Sequence, residues 1–315
     1  MSRLASQAST RYAPRSDVSG HLDTVAWGHV TGRYRALGHD FCVRTSDPAL
    51  GRYCEEIFSA FAAPGRARSV YSVLDRGERT RKRYAVYHDG ERIALSRSPS
   101  HAFGTLLWHV NQSVVASTTD VVLVHAAAAE RGGAAVLLPA PMESGKTTLV
   151  AGLVRRGLRY LTDEAVAVDP VTSQVRPFPK ALSIDRGSWQ VLADLRPDVD
   201  PAVAAYTKLQ WQVPAEAIRP GALAPPALPR LVVAPRYEAG SDTTLRPVSR
   251  ARMLTLMAES TFNFHAAGRR NLEVLARVVR RSDCYLLTVG DLARACTLVL
   301  DALSDLPAKE GNDDA

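Results

Sequence analysis

Gly145-Lys146-Thr147-Thr148, entered from the apolar run 134–140, is the stretch whose residue types and spacing specify a chemistry. An apolar strand, a short turn and a helix opened by Gly-Lys-Thr form the layout of a phosphate-binding loop. Its eight positions run from Ala140 to Thr147, so an alanine stands where the usual pattern has its first glycine. Successive backbone N–H groups at such a turn make a positive nest, and the helix dipole adds to it. The expected ligand is ATP, touched by Glu143, Ser144, Gly145, Lys146, Thr147 and Thr148. Lys146 places a cation on the phosphates, and the Thr147 hydroxyl takes one position on Mg²⁺.

Asp163 and Glu164 end the next strand pattern, 159–164, at a distance where nucleotide enzymes keep an acid for Mg²⁺ or for the attacking hydroxyl. Neighbours on a strand point in opposite directions, so one carboxylate faces the phosphates and Asp163 is assigned the primary role. The expected metal set is Thr147, Asp163 and Glu164. His125 closes the buried strand pattern 121–125, which a Gly132-Gly133 turn folds back beside the loop strand; it is the third catalytic candidate with Asp163 and Lys146. Arg186 and Arg236 are further cations for a transferring phosphoryl group. An ordinary surface ion pair is the competing reading for each. Trp108, His109 and Asn111 on one amphipathic stretch read as packing and surface, and Trp189 and Trp211 as core or rim aromatics.

The elements that must position these groups are legible from periodicity. Leu149, Val150, Leu153 and Val154 form one stripe of a helix over 145–157, with Gly157 at its C-cap. Upstream, Asp47-Pro48 starts a helix with Leu50, Tyr53, Cys54, Ile57 and Phe61 on one face. Strands follow near 69–74 and 83–88, and Asp89-Gly90 turns the second into 91–95. A helix from Ser98-Pro99 then buries Phe103, Leu107, Val110 and Val114. Downstream, 165–169 and 174–178 read as a hairpin, and the Pro/Ala-rich stretch 212–229 as a loop or lid. A strand at 231–234 and a helix from Ser249 come next. A helix over 270–281 buries Leu272, Leu275, Ala276 and Val279; a strand at 284–288 leads to a last helix with Leu292, Ala295, Cys296 and Val299 inward. The domain reading is a tail at 1–20, an N-terminal α+β unit at 21–118, a nucleotide domain at 119–306 and a loose acidic tail at 307–315.

Net charge is +7, but only five residues are lysine, and the densest basic patch, Arg79-Thr80-Arg81-Lys82-Arg83, reads as a solvated face rather than a nucleic-acid site. Cys42, Cys54, Cys284 and Cys296 show no C-x-x-C spacing and read as reduced thiols. No run of 18 apolar residues and no signal-peptide pattern occurs, so neither a membrane nor export is expected and the cytoplasm is the default compartment.

With these residues in place, the chain resembles the kinase domain of HPr kinase/phosphorylase. His125 lies fifteen residues before Ala140, the Gly145-Lys146-Thr147 loop follows, and Thr162-Asp163-Glu164 is similar to that family's Asp-Asp stretch, twenty-three residues after Ala140. Asp185-Arg186-Gly187 is similar to a later acidic-Arg-Gly element, and Gly268-Arg269-Arg270-Asn271 to a Gly-Arg-Asn element. The likeness covers 120–190. It implies an α/β P-loop nucleotide domain of the HPr kinase/PEP carboxykinase type with a smaller N-terminal α+β domain. It also implies ATP and Mg²⁺ as cofactors, Asp163 as base toward a substrate hydroxyl and Glu164 at the metal. Ala140, Pro141, Met142 and Glu143 replace a glycine-rich run and Glu164 replaces an aspartate. With those departures the chain resembles the family's divergent relatives, some associated with modified-peptide biosynthesis, more than the carrier-protein kinase itself.

The expected function is an ATP- and Mg²⁺-dependent kinase acting on a hydroxyl, first a serine of a protein or peptide. A kinase of a small metabolite and a nucleotide-binding regulator or scaffold with little turnover are the alternatives. A homo-oligomer is compatible with either.

Overall fold

The computed structural model describes residues 22–76, 83–264 and 268–306. The tails assigned to 1–20 and 307–315, and the basic residues 79–82, fall outside the described residues. The chain folds as a mixed α/β protein built on two large sheets.

The first sheet joins β1 (His29–Val30), β2 (Tyr34–Ala36), β3 (His39–Thr45), β4 (Ser69–Arg76), β5 (Arg83–His88) and β6 (Glu91–Ser96). Its order is β1-β3-β4-β5-β6 with β2 on β3; only β3 and β4 run parallel. Helix α1 (Pro48–Ile57) starts because Asp47 accepts from the amides of Ala49 and Leu50 and Pro48 fits the first turn. Helix α2 (Pro99–Ser117) starts the same way at Ser98. Its buried stripe uses Leu106 in place of the expected Leu107. Phe61 stacks on Phe178 at 5.5 Å, and Tyr206 Oη donates to Asp47 at 3.1 Å. One hydrophobic core therefore runs from α1 and α2 onto Leu123, Ala165 and Ala167 of the second sheet.

The second sheet is organised by β7 (Val122–Arg131) and also contains β8 (Ala134–Pro139), β9 (Arg159–Thr162), β10 (Ala165–Val168) and β11 (Val175–Arg176). The expected strand at 121–125 runs on through Ala126-Ala127-Ala128-Ala129. Ala127 and Ala129 pack on one face and Ala126 and Ala128 on the other, so burial on both sides overrides alanine's weak strand preference. Helix α3 (Lys146–Arg155) follows β8, and Gly157, at φ 99°, ends it. A two-stranded ribbon pairs β12 (Leu182–Asp185) with β13 (Gln210–Val213).

The segment expected to be a loop or lid at 212–229 is instead packed. It holds the end of β13 and the helical turn α4 (Ala215–Ile218), and Ala222 and Ala224 bond to both sides of Tyr160. Strand β14 (Leu228–Tyr237) then lies parallel to β8, β15 (Thr244–Pro247) forms the edge, and β16 (Asp283–Val289) runs parallel to β14. Helices α5 (Arg250–Glu259) and α6 (Gly268–Arg280) cover one face, while α3 and α7 (Leu292–Ser304) cover the other. In α6 the buried stripe is Asn271, Val274, Leu275, Val278 and Val279, and the expected Leu272 is exposed. Val274, Leu275, Val278 and Val279 pack into the core, and Asn271 joins their stripe by donating to the Asn263 carbonyl at 2.8 Å. Among the described residues no helix is long and apolar enough to cross a membrane.

Candidate functional site

Strand β7 brings the sequence-picked groups together. Ala126 pairs with Pro139, so the loop leaving β8 begins beside it. On its other edge β9 and β10 form one line interrupted by a bend at Asp163-Glu164, with Thr162 opposite Ala128 and Ala165 opposite His125. The predicted strand 159–164 thus stops at Thr162, and the bend carries both acids to the side of His125.

The loop lies at the C-terminal ends of the parallel strands β8 and β14, where open α/β sheets leave a crevice. Gly145, at φ 87°, is the N-cap of α3 and offers no side chain to the first-turn amides. A Cβ there would also stand 3.6 Å from Tyr237 Cβ. Glu143 adopts φ 63°, a left-handed conformation that a side chain strains and that glycine would adopt freely. The Ser144 hydroxyl is buried without a partner. Lys146 folds back into the loop and donates to Ala140 O at 2.8 Å and Pro141 O at 2.6 Å. Burial pushes its pKa down to about 8, with Glu164 and Asp163 acting the other way. An uncapped helix start, a lysine and an unpaired hydroxyl are groups suited to an anion.

Asp163 is 3% exposed and saturated. Oδ2 accepts from Thr147 at 3.1 Å and from the Ser183 amide at 3.3 Å. Oδ1 accepts from Tyr160 at 2.8 Å and pairs with Lys180 at 2.8 Å. Glu164 is half-buried, 3.8 Å from His125 Nδ1, and burial raises its pKa. His125 Nε2 is buried without a hydrogen bond, and its ring meets Phe262 edge-on at 5.3 Å. Burial first, then the Lys146 charge, lowers the His125 pKa to about 4.

That shift has a measurable consequence. Between about 4 and the ordinary value of about 6.5, the folded state holds fewer protons at His125 than the unfolded chain does. Stability therefore rises with pH across this window and is lost as pH falls through it, by on the order of 3 kcal/mol in all. The raised Glu164 has the opposite sign above the usual carboxylate range. Urea midpoints at pH 7 and pH 4.5 check this: His125→Gln is expected to flatten the loss relative to the parent protein.

The structure does not bring Arg186 or Arg236 to the cluster. Arg186 donates to Lys208 O at 2.8 Å, and the Arg236 side chain, 81% exposed, pairs with Glu238. Thr148 bonds Ser188 at 2.5 Å. Trp189 and Trp211 stack at 4.7 Å against the core. Asn271 braces Asn263, which in turn holds the Leu123 amide and Val121 carbonyl at the start of β7. Sequence reasoning missed Lys180, Tyr160 and Ser183. A signal existed for Lys180: two of the chain's five lysines sit at this cluster.

The chain matches no family model and no curated protein.

Proposed function

We propose that the protein is an ATP- and Mg²⁺-dependent kinase, related to the HPr kinase type of P-loop domain, that phosphorylates a serine hydroxyl of a protein or peptide. The supporting observation is the Thr147–Asp163 contact at 3.1 Å beside Lys146 and an uncapped helix start, all at the strand ends.

The residues fit the implied cofactors. A threonine hydroxyl and a carboxylate are hard oxygen donors of the kind Mg²⁺ prefers, and that ion usually completes its shell with phosphate oxygens and water. Among the described residues no group of three His, Cys, Asp or Glu residues is arranged for a metal. When bound, ATP supplies the γ-phosphoryl group and Mg²⁺ neutralises charge on its oxygens. Lys146 exchanges the carbonyls of Ala140 and Pro141 for phosphate oxygens. Asp163, fixed by Lys180 and Tyr160, orients the Thr147 hydroxyl. Glu164, not Asp163, receives the acceptor's proton, because both Asp163 oxygens are already engaged and Glu164 is made more basic by burial. The acceptor oxygen bonds to the γ-phosphorus, the bond to the β-phosphate oxygen breaks, and ADP leaves with the electron pair.

Transfer from γ-labelled ATP to a pool of serine peptides tests the proposal. The parent protein is expected to label peptide. Glu164→Gln is expected to lose about 10²–10⁴-fold in rate while still binding ATP. Undiminished transfer by Glu164→Gln would refute its role, and failure of the parent protein to bind ATP would refute the whole reading. A nucleotide-binding regulator is the second reading, favoured by Lys146 closing on the loop's own carbonyls; tight ATP binding with no transfer is its signature.

A further inference from the structure

A groove of about 630 Å³ opens between helix α2 and the β12–β13 ribbon, and Glu164 and Ser183 lie among its lining residues. None of the loop residues 140–147 lines it. Glu164 thus lines this groove while its neighbour Asp163 meets Thr147 of the loop. The groove's volume falls in the range of clefts that hold a drug-sized group.

The groove's floor is a built polar chain. Lys180 donates to Ser183 Oγ at 3.2 Å, Ser183 Oγ to Gln212 at 3.0 Å, Gln212 to Gln210 at 2.7 Å, and Gln210 to Asp185 at 2.8 Å. The same Lys180 holds Asp163, so the floor and the carboxylate pair are fixed by one network. The wall contributed by α2 carries Trp108, 60% exposed, together with Asn111. The sequence treats these two as packing and surface; the fold places them in the lining of the groove that Glu164 also lines.

Charge selects the occupant. The chain carries 39 lysines and arginines and a net charge of +7, yet no lysine or arginine is among the groove's lining residues, and two carboxylates, Glu164 and Asp185, are. Lys180 stands behind the floor and is committed to Asp163, so the charge at the Asp185 end is negative and disfavours an anionic acceptor such as a sugar phosphate. A cation gains from Asp185 and from the Trp108 face. Asp185 lies two residues along β12 from Ser183, whose amide holds Asp163; on a strand that is about 7 Å, the span of two residues of extended chain.

We propose that this groove is the acceptor site, taking a peptide segment whose serine reaches Glu164 and whose arginine or lysine, about two residues away, meets Asp185 and Trp108. The assignment rests on the kinase reading, and the experiment separates the two. The full-length protein is given γ-labelled ATP, Mg²⁺ and synthetic peptides with a central serine and either arginine or glutamate two residues to each side. ATP affinity is followed independently with a fluorescent ATP analogue. Arginine peptides are expected to be labelled at least tenfold faster than glutamate peptides. Asp185→Lys, at an exposed position, is expected to reverse that preference, and Trp108→Ala to raise the peptide KM about tenfold with analogue affinity within twofold. Transfer that ignores both substitutions, or prefers glutamate peptides, overturns the groove assignment and leaves the kinase reading standing. Labelling of small neutral metabolites with no peptide labelled also overturns it. Loss of analogue binding in the parent protein is the distinct result that removes the kinase reading itself.

Discussion

Lys146→Ala is expected to lower phosphoryl transfer by at least about 10²–10³-fold, the usual effect of removing one preorganised charge from a developing anion. The other candidate cations are engaged elsewhere. Arg186 is held by Lys208 O, and Arg236 points to Glu238. Lys180 is committed to Asp163 at 2.8 Å. Folding should tolerate the change, because the Pro141 carbonyl belongs to an exposed turn and only the buried Ala140 carbonyl loses a partner out of reach of water. A second signature distinguishes a phosphate-binding lysine from a merely structural one. With its pKa held at about 8 by burial, Lys146 is partly neutral at pH 8–9, and arriving phosphates raise that value. ATP binding at pH 8.5 is therefore expected to take up protons, read as a difference in calorimetric enthalpy between buffers of different ionisation heat. Lys146→Ala should abolish the difference. Wild-type transfer rates in the variant, or proton uptake unchanged by it, would refute the placement of phosphate on this loop.

What the sequence made legible follows from how local each signal is. The loop, its strand and its helix are consecutive, and their chemistry is carried by Gly145, Lys146 and Thr147 within three positions. The Asp89-Gly90 turn was readable for the same reason: both residues take positive φ, 47° and 86°, which Asp and Gly tolerate. The alanine stretch of β7 was not, because its strand character comes from being covered on both faces by distant segments. The same holds for 212–229, where prolines suggested a free loop but the chain bonds to Tyr160 from both sides. The roles of the two acids were the subtlest matter. Alternation along a strand would turn one of them away, but the strand ends at Thr162, and partners as remote in sequence as Lys180 and Ser183 decide that Asp163 is held and Glu164 reaches the groove.

Lys180→Met is expected to destabilise the fold by about 3–5 kcal/mol, the cost of leaving a buried carboxylate without its counter-charge. The side chains of Lys180 and Asp163 are only 6% and 1% exposed, so water cannot replace the lost partner as it would at the surface. Loss of the ammonium also strips the Ala181 carbonyl and the Ser183 hydroxyl of a donor. The matching change Asp163→Asn keeps the shape and removes the charge. In the Lys180→Met/Asp163→Asn double variant no uncompensated ion remains, so most of the loss should be recovered. Denaturant unfolding of the four proteins measures the coupling directly. Additive losses in the double variant would mean that the pair is not the electrostatic unit that the 2.8 Å contact implies. Recovery of stability without recovery of transfer is the further expectation, because the double variant refills the core while Thr147 no longer meets a carboxylate. Stability and chemistry thus separate at one buried contact, with Lys180 holding Asp163 in place and Asp163 serving the loop.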